Sequence, residues 1–528
     1  MKELIMLEKL FVTNKICRRE FLARVSALGL TALLSPAFLT RQASAALPKK
    51  GGRLKIAMTG GQTTDSLDPA TITGLMMSFV SFQLRNNLVE IDHKSNAIPE
   101  LAESWEPSPD AKKWVFKLRK GVEFHNGKTM EAEDVIFSIN HHRKEDSKSA
   151  AKSLLSSISD IKSEGKYNVI FELKEGSADL PYILSDYHLG IIPNGTVDFS
   201  DGMGTGGYKL VDFEPGVRVH AKRNPNYWKE GRAHFDEVDT SNIADVVART
   251  SALKTGQLDV IQQVDLKTVH LLKKIPGIQV IDVIGTAHVT IPMLTDVSPY
   301  DNNNVRLALK HAIDREQVLK TVFRGHGMVG NDQPISPANR YYASDLPKRG
   351  YDPDKARYYI KKAGLEGHTF NLHAADVVLP GTVDIALLFK EHAARAGIEI
   401  NVVREPNDGY WSDVWLKKDW CFSYWYGRPA EDWMFSTTYA EGASWNETHW
   451  KYERFNKLLK EARAELDEVK RREMYIEMQH IVSDEGGAII PLFLSYLFAA
   501  TNKLKFENVS ASFDLDGARL AERWWFES

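Results

Sequence analysis

The 528-residue chain has few cysteines, almost no excess charge of either sign and no long apolar run past its first 45 residues, and each shortage excludes something. Two cysteines, Cys17 and Cys421, cannot build a disulfide framework or a cysteine-rich metal site. Lys and Arg number 67 against 70 Asp and Glu, a formal charge of −3, so the basic surplus that phosphate binding requires is missing and nucleic acid is not expected as a partner. HExxH, CxxC and GxSxG are absent too, which removes the commonest metallohydrolase and serine-hydrolase signatures, and no cofactor is expected. What remains is 43% hydrophobic and 26% charged, the composition of a folded protein with roughly two or three lobes. It is rich in aromatics: 12 Trp, 18 Tyr and 23 Phe.

The N-terminus reads as a targeting segment. Arg18-Arg19 precede Phe21-Leu22, an apolar stretch follows from Val25 to Leu39, and Ala43-Ser44-Ala45 place small residues where a signal peptidase reads, predicting cleavage before Ala46. The arginine pair resembles a twin-arginine export signal, with an ordinary signal peptide or a basic helix as alternatives. No cysteine stands at the cleavage site to accept a lipid. The segment carries seven Lys/Arg and three Asp/Glu, so its removal takes 67 basic and 70 acidic residues to 60 and 67, a formal charge of −7, and leaves Cys421 as the one thiol.

The rest alternates between strand and helix patterns, an α/β reading. Gly51–Met58 is expected as a first strand, Trp114–Leu118 and Val169–Leu173 as short strands, and Thr129 as the cap of a helix between them. Asp314 with Gln317 predicts a capping box, and Asp352-Pro353 and Gly364 bracket another helix. Strand Phe370–Ala374, helix Val383–Ala396 and strand Ile398–Val403 form a βαβ pattern. A long amphipathic helix carries Phe455, Leu458, Leu459, Ala462 and Leu466 on one face. The apolar stretches Ile489–Ala500 and Phe513–Phe526 read as strands returning to the N-terminal lobe.

Several runs together then resemble a known family. Leu101–Ser138, Ser66–Pro69, Gly204–Leu210, Arg223–Trp228, Leu253–Val260 and Asn304–Asp314 are similar, in order, to the family 5 extracellular solute-binding proteins of ABC importers. The resemblance implies a large bilobal clamp of the periplasmic-binding-protein type, type II-like with an extra subdomain in its first lobe. Lobe I would hold residues 46–295, with the inserted subdomain at about 92–200, and would regain 493–528; lobe II would hold 296–492. The two crossings, near Ile291–Asp296 and Leu492–Tyr496, would act as hinges. It further implies a periplasmic monomer that captures a small solute, a peptide or a modified amino-acid or opine-like compound, and delivers it to an inner-membrane permease with its ATPase. An exported hydrolase of peptides or glycans is the alternative reading.

Candidate site residues follow. Gly202, Gly204 and Gly207 satisfy GxGxxG, but the strand-like Tyr208–Val211 run follows them, so they read as a turn of close backbone approach and not as a dinucleotide site. His125, His141 and His142 are expected in solvated or capping roles. Seven tryptophans (Trp411, Trp415, Trp420, Trp425, Trp433, Trp445 and Trp450) crowd into Tyr410–Trp450. There Ser423–Phe435 reads SYWYGRPAEDWMF, aromatics beside a guanidinium that can take a carboxylate in two parallel bonds. A surface pairing of Arg428 with Glu431 or Asp432 is the alternative. Peptide-binding members keep an aspartate four residues before the proline of this loop. Counting back from Pro429 gives Trp425, so the ammonium partner of a peptide is missing. The expected ligand group is therefore Arg428 with Trp425, Tyr426, Trp433, Asp432, Trp445 and Trp411, to which the resemblance adds Tyr208, Gly61 and Gln62 on the other lobe as family-like contact positions.

Overall fold

The computed structural model describes residues 48–428 and 430–527, so the targeting segment and Pro429 lie outside the described residues. The chain divides into a unit of residues 1–49 with 527–528 and a unit of Lys50–Phe526, and the elements below belong to the second.

The described residues form a ten-stranded mixed sheet as their backbone. Its centre is Arg53–Met58, whose inward residues Leu54 and Ile56 have no exposed surface. That strand lies parallel to Glu237–Asn242 on one side and Val260–Ile261 on the other. Beyond the first come Arg218–Arg223 and Tyr208–Glu214, antiparallel. Beyond the second, Val260–Ile261 meets Leu492–Thr501, which runs antiparallel along the 15-residue strand Ile278–Pro292, and this in turn carries Ser423–Trp425 at its far end.

Two further bodies flank this sheet. Ala102–Pro107, Lys113–Leu118, Asn168–Leu173 and Ile158–Glu164 form a four-stranded antiparallel sheet, in that order, around Trp114, Phe116 and Phe171. Its helix is Ala132–Arg143. Thr369–Ala374 and Glu399–Arg404 pair in parallel across helix Thr382–Ala394, with Phe370, Phe389 and Trp420 in the core beneath. This is the βαβ unit the alternation predicts.

Four local expectations are corrected. Thr129 does not cap its helix: it bridges Glu123 as extended chain, and Glu131 takes the cap in a reciprocal box with Asp134. The Asp314 box is half made; Asp314 accepts from the Gln317 amide, but the Gln317 side chain turns to His392 at 2.9 Å. The long amphipathic helix is two, Glu453–Ala464 and Glu468–Glu485, because Asp467 caps a new start by accepting from Val469 and Lys470. Phe513–Phe526 is not a strand; only Trp525–Phe526 pairs, with Leu504–Lys505. Before it, Leu515, Asp516, Gly517 and Ala518 all have φ between 53° and 67°, a left-handed turn that buries Leu515 and leads to the buried Leu520 and Trp524. Leu515, Leu520 and Trp524 pack with Leu54, Ile56 and Phe79, so the last residues share a core with the first strand.

The histidines are also not solvated. His142 is buried and bonds Ser149 at 2.7 Å, His141 pairs with Asp68, and His125 bonds the Gly206 carbonyl. The glycine run is the close approach expected of it: a Cβ on Gly204 would stand 2.2 Å from the Leu84 carbonyl oxygen, and one on Gly206 2.4 Å from that of Gln83.

Candidate functional site

The site is built outward from strand Ser423–Trp425. Alternation turns Ser423 and Trp425 inward and Tyr424 toward the surface. Trp425 is only 6% exposed and is flanked by Trp415 and Trp445, ring centroids 6.2 and 5.8 Å away. On the outer side Tyr424 touches Trp411 and Tyr426 edge-on, at 5.8 and 5.3 Å. Trp411, Tyr426 and Trp445 are 40%, 61% and 47% exposed, so the buried layer carries an open aromatic face. Edge-to-face contacts of this kind hold rings in fixed orientation.

A carboxylate underlies that layer. Glu447 is buried and accepts from Trp415 Nε1 and from Thr290 Oγ1, both at 2.8 Å, and burial pushes its carboxyl above the ordinary range.

Next to the aromatics stands Arg428. Its Nη1 donates only to the carbonyl oxygens of Tyr426 and Gly427, its buried Nε has no partner, and its guanidinium lies 5.4 Å over the Trp433 ring. Arg428 forms no ion pair among the described residues. The surface pairing with Glu431 or Asp432 is not made: Glu431 is buried and accepts from the Tyr341 amide, and Asp432 pairs with Arg463 at 3.2 Å. Burial pushes the Arg428 guanidinium below its usual range, with Asp186, Tyr187 and Tyr496 opposing that shift. Burial likewise holds the adjoining His288 near 4, and its Nε2 has no partner.

Asp432 belongs to a neighbouring space. With Asp179, Trp433, Ser436 and Arg463 it lines a cavity of about 470 Å³. Burial, opposed by Arg463 and reinforced by Asp179, raises its carboxyl to about 6.

The sequence candidates thus divide. Arg428, Trp425, Tyr426, Trp433, Trp445 and Trp411 come together, and Asp432 adjoins them through Trp433. Tyr208 is corrected to a core residue: it has no exposed surface, and its hydroxyl donates to the Ala521 carbonyl at 2.8 Å. Gly61 and Gln62 lie on a loop after the first strand, where Asn242 Nδ2 donates to the Gly61 carbonyl and Gln62 is exposed. Trp415, Tyr424, Glu447, His288, Asp186, Tyr187 and Tyr496 were not among the candidates. For Trp415 the signal was the tryptophan density itself; the others adjoin Arg428 or the indoles only through folding.

Among the described residues the group of acidic side chains close enough to hold an ion is Glu90, Glu100 and Glu522, and the Lys229 ammonium already sits among them at 2.6, 2.7 and 2.9 Å.

The model of the bacterial extracellular solute-binding proteins, family 5, matches residues 96–447, well over half of the chain. The chain belongs to this family. It is the solute-binding component of an ABC importer and not an enzyme, which overturns the hydrolase alternative. The dipeptide-binding protein of Escherichia coli is 27% identical over 455 residues, 78% of this chain and 83% of that protein. Two solved structures share the bilobal fold. One is the ABC transporter-associated periplasmic binding protein DppA from Helicobacter pylori in complex with the peptide STSA, with TM-score 0.73 and 22% identity over 91% of this chain and 99% of that one. The other is the binding protein AgaA from A. tumefaciens R10 with agropinic acid, with TM-score 0.72 and 24% identity over 90% and 99%. No helix among the described residues is long and apolar enough to cross a membrane.

Proposed function

We propose that this family member works in the periplasm as a free monomer, released from its targeting segment and without a lipid anchor, and captures a small anionic solute: a peptide or, better matched, a modified amino-acid or opine-like compound. The solute's carboxylate bonds Arg428, and its apolar or planar body lies on the face of Trp411, Tyr426 and Trp445. The observation that carries this reading is the unpaired guanidinium. Arg85, Arg249 and Arg306 also lack an ion pair, but each donates from at least two guanidinium nitrogens to carbonyls, whereas the half-buried Arg428 donates from Nη1 alone, to carbonyls of its own loop, and has an aromatic ring beneath. A buried donor left unmatched costs free energy until a ligand satisfies it.

Capture is proposed to close the clamp about the two crossings, Ile291–Asp296 and Leu492–Tyr496. The register irregularity between Ile284 and His288, opposite Leu494, supports a hinge at that level, since the paired strands lose their ladder there. The solute's higher affinity for the closed form then presents both lobes to the permease.

The test is a thermal-shift and tryptophan-fluorescence screen of the mature protein with di- and tripeptides, opines and metal chelates side by side. A carboxylate-bearing solute should raise the melting temperature and alter the emission without being consumed. Arg428→Ala should weaken its binding by about 30- to 1,000-fold, the equivalent of roughly 2–4 kcal/mol. Undiminished affinity in that variant removes Arg428 from the site.

A further inference from the structure

Arg428 does not face empty space on the first lobe. Two residues beyond it, Ala430 is buried against Ile91 and Tyr182, and Tyr182 opens the segment that runs on to Asp186 and His188. Asp179 and Ile183, from the same part of the chain, line the cavity together with Ala430, Asp432 and Trp433. Arg340 lies 4.7 Å over the Tyr182 ring, and Asn339 Nδ2 donates to the Arg428 carbonyl at 3.1 Å, so the loop is fastened where the two lobes meet. Asp186 is the first-lobe carboxylate that opposes the downward push of burial on the Arg428 guanidinium.

Asp186 is held as a ligand-binding carboxylate should be. Its Oδ1 accepts from the His188 amide at 3.0 Å and faces His188 Nδ1 at 2.6 Å, and its carbonyl accepts from Asn87 Nδ2 at 2.6 Å. The side chain is only 10% exposed, while Oδ2 has no partner among the described residues. One oxygen fixes the group and the other is free. Preorganisation of this kind lowers the ordering cost of binding.

We infer that Asp186 and Arg428 form a two-lobe clamp for a zwitterionic head group, with Asp186 Oδ2 taking the amine and Arg428 the carboxylate of one amino-acid-type unit. This rests on the reading of Arg428 given above and narrows the solute to compounds whose amine and carboxylate are near neighbours, a free amino acid or an opine secondary amine, rather than a peptide whose charged termini lie several bonds apart. Because each charge of the ligand bonds a different lobe, a solute lacking either group loses the bridge as well as the bond.

The experiment is calorimetric binding on the mature protein with L-α-amino acids, opines formed from an amino acid and pyruvate, dipeptides and tripeptides, each beside its analogue with the amine replaced by hydroxyl or hydrogen. Amine-bearing compounds with a neighbouring carboxylate should bind, and their amine-free partners about 10- to 100-fold more weakly. Asp186→Asn, which keeps an acceptor for His188, should melt like the wild type yet erase that preference; His188→Gln tests whether loss of the His188 contact alone does the same. Carboxylates that bind regardless of the amine, with Arg428→Ala abolishing the binding, overturn the clamp and leave the Arg428 reading intact. Tight binding that survives Arg428→Ala overturns both. A panel in which only peptides bind, or nothing binds, also overturns the clamp.

Discussion

Gly427 passes so close to Thr286 that a Cβ on it would stand 1.8 Å from the Thr286 hydroxyl oxygen and 1.9 Å from its Cβ. Thr286 lies in the irregular stretch between Ile284 and His288, and the neighbouring Gly285 packs on the Tyr496 ring, where a Cβ would meet carbon at 2.6 Å. The backbone that presents Arg428 is therefore in contact with the strand Ile278–Pro292, which itself packs on Tyr496 of the strand Leu492–Thr501.

Gly427→Ala cannot be accommodated by a side-chain rotation, because the obstructing atoms include Thr286 Cβ and backbone. It should destabilise the protein by about 1–3 kcal/mol and weaken solute binding by displacing Arg428. Thr286→Gly in the same chain should restore part of both. Thermal melts and calorimetric titration of the single and double variants measure this, and an additive second loss would refute the coupling.

Glu447 holds the aromatic layer from beneath. Glu447→Ala should leave the Trp415 indole N–H without its acceptor, cost about 3 kcal/mol and red-shift tryptophan emission as the rings loosen. In Glu447→Gln the amide oxygen still accepts from Trp415 and the amide nitrogen can donate to the Thr290 hydroxyl, so stability should stay within about 1 kcal/mol of the wild type. Equal losses in the two variants would count against this account.

The aromatic half of the candidate site was legible because composition alone concentrates seven tryptophans in one stretch, but which rings are open was not: Trp425, expected against the ligand, lies in the buried layer. Tyr208 was expected at the site from its family-like position alone, and that position does not say which face of its strand meets a core. Asp186 and Glu447 carried no local signal; 242 residues separate Asp186 from Arg428, and only folding joins them. The left-handed turn at 515–518 was equally invisible, since it contains a single glycine and its other three residues accept positive φ under the constraint of burying Leu515 and Asp516.

Lys229 is the keystone of a buried ion network. Its ammonium meets Glu90, Glu100 and Glu522, while Arg519 bonds Glu100 and Glu522 and Arg523 bonds Glu90, so three distant parts of the chain are tied together. Lys229→Met would leave three buried carboxylates to two guanidiniums. The expected cost is about 3–5 kcal/mol, read from denaturant midpoints, with solute affinity unchanged in the protein that remains folded. A neutral effect would show that the arginines suffice.

Asp514 carries a pH signature of the opposite sign to a salt bridge. Burial raises its carboxyl from 3.8 to about 6, opposed by the Leu515 amide, which donates to Oδ1 at 2.8 Å, and by Gln262. Between those two values the folded protein binds more protons at this site than the unfolded chain does. Stability from this group is therefore present below pH 4 and is lost as pH rises through about 6, reaching a penalty of up to about 3 kcal/mol at neutral pH. Asn at this position keeps the acceptor and cannot ionise. Asp514→Asn should accordingly raise the melting temperature at pH 7.5, have little effect at pH 4, and change the slope between pH 4 and 6, to which Asp432, Glu447 and His288 also contribute, by the share of Asp514. A variant that melts lower than the wild type at pH 7.5 would mean that the charged carboxylate is stabilised by the fold and not merely tolerated.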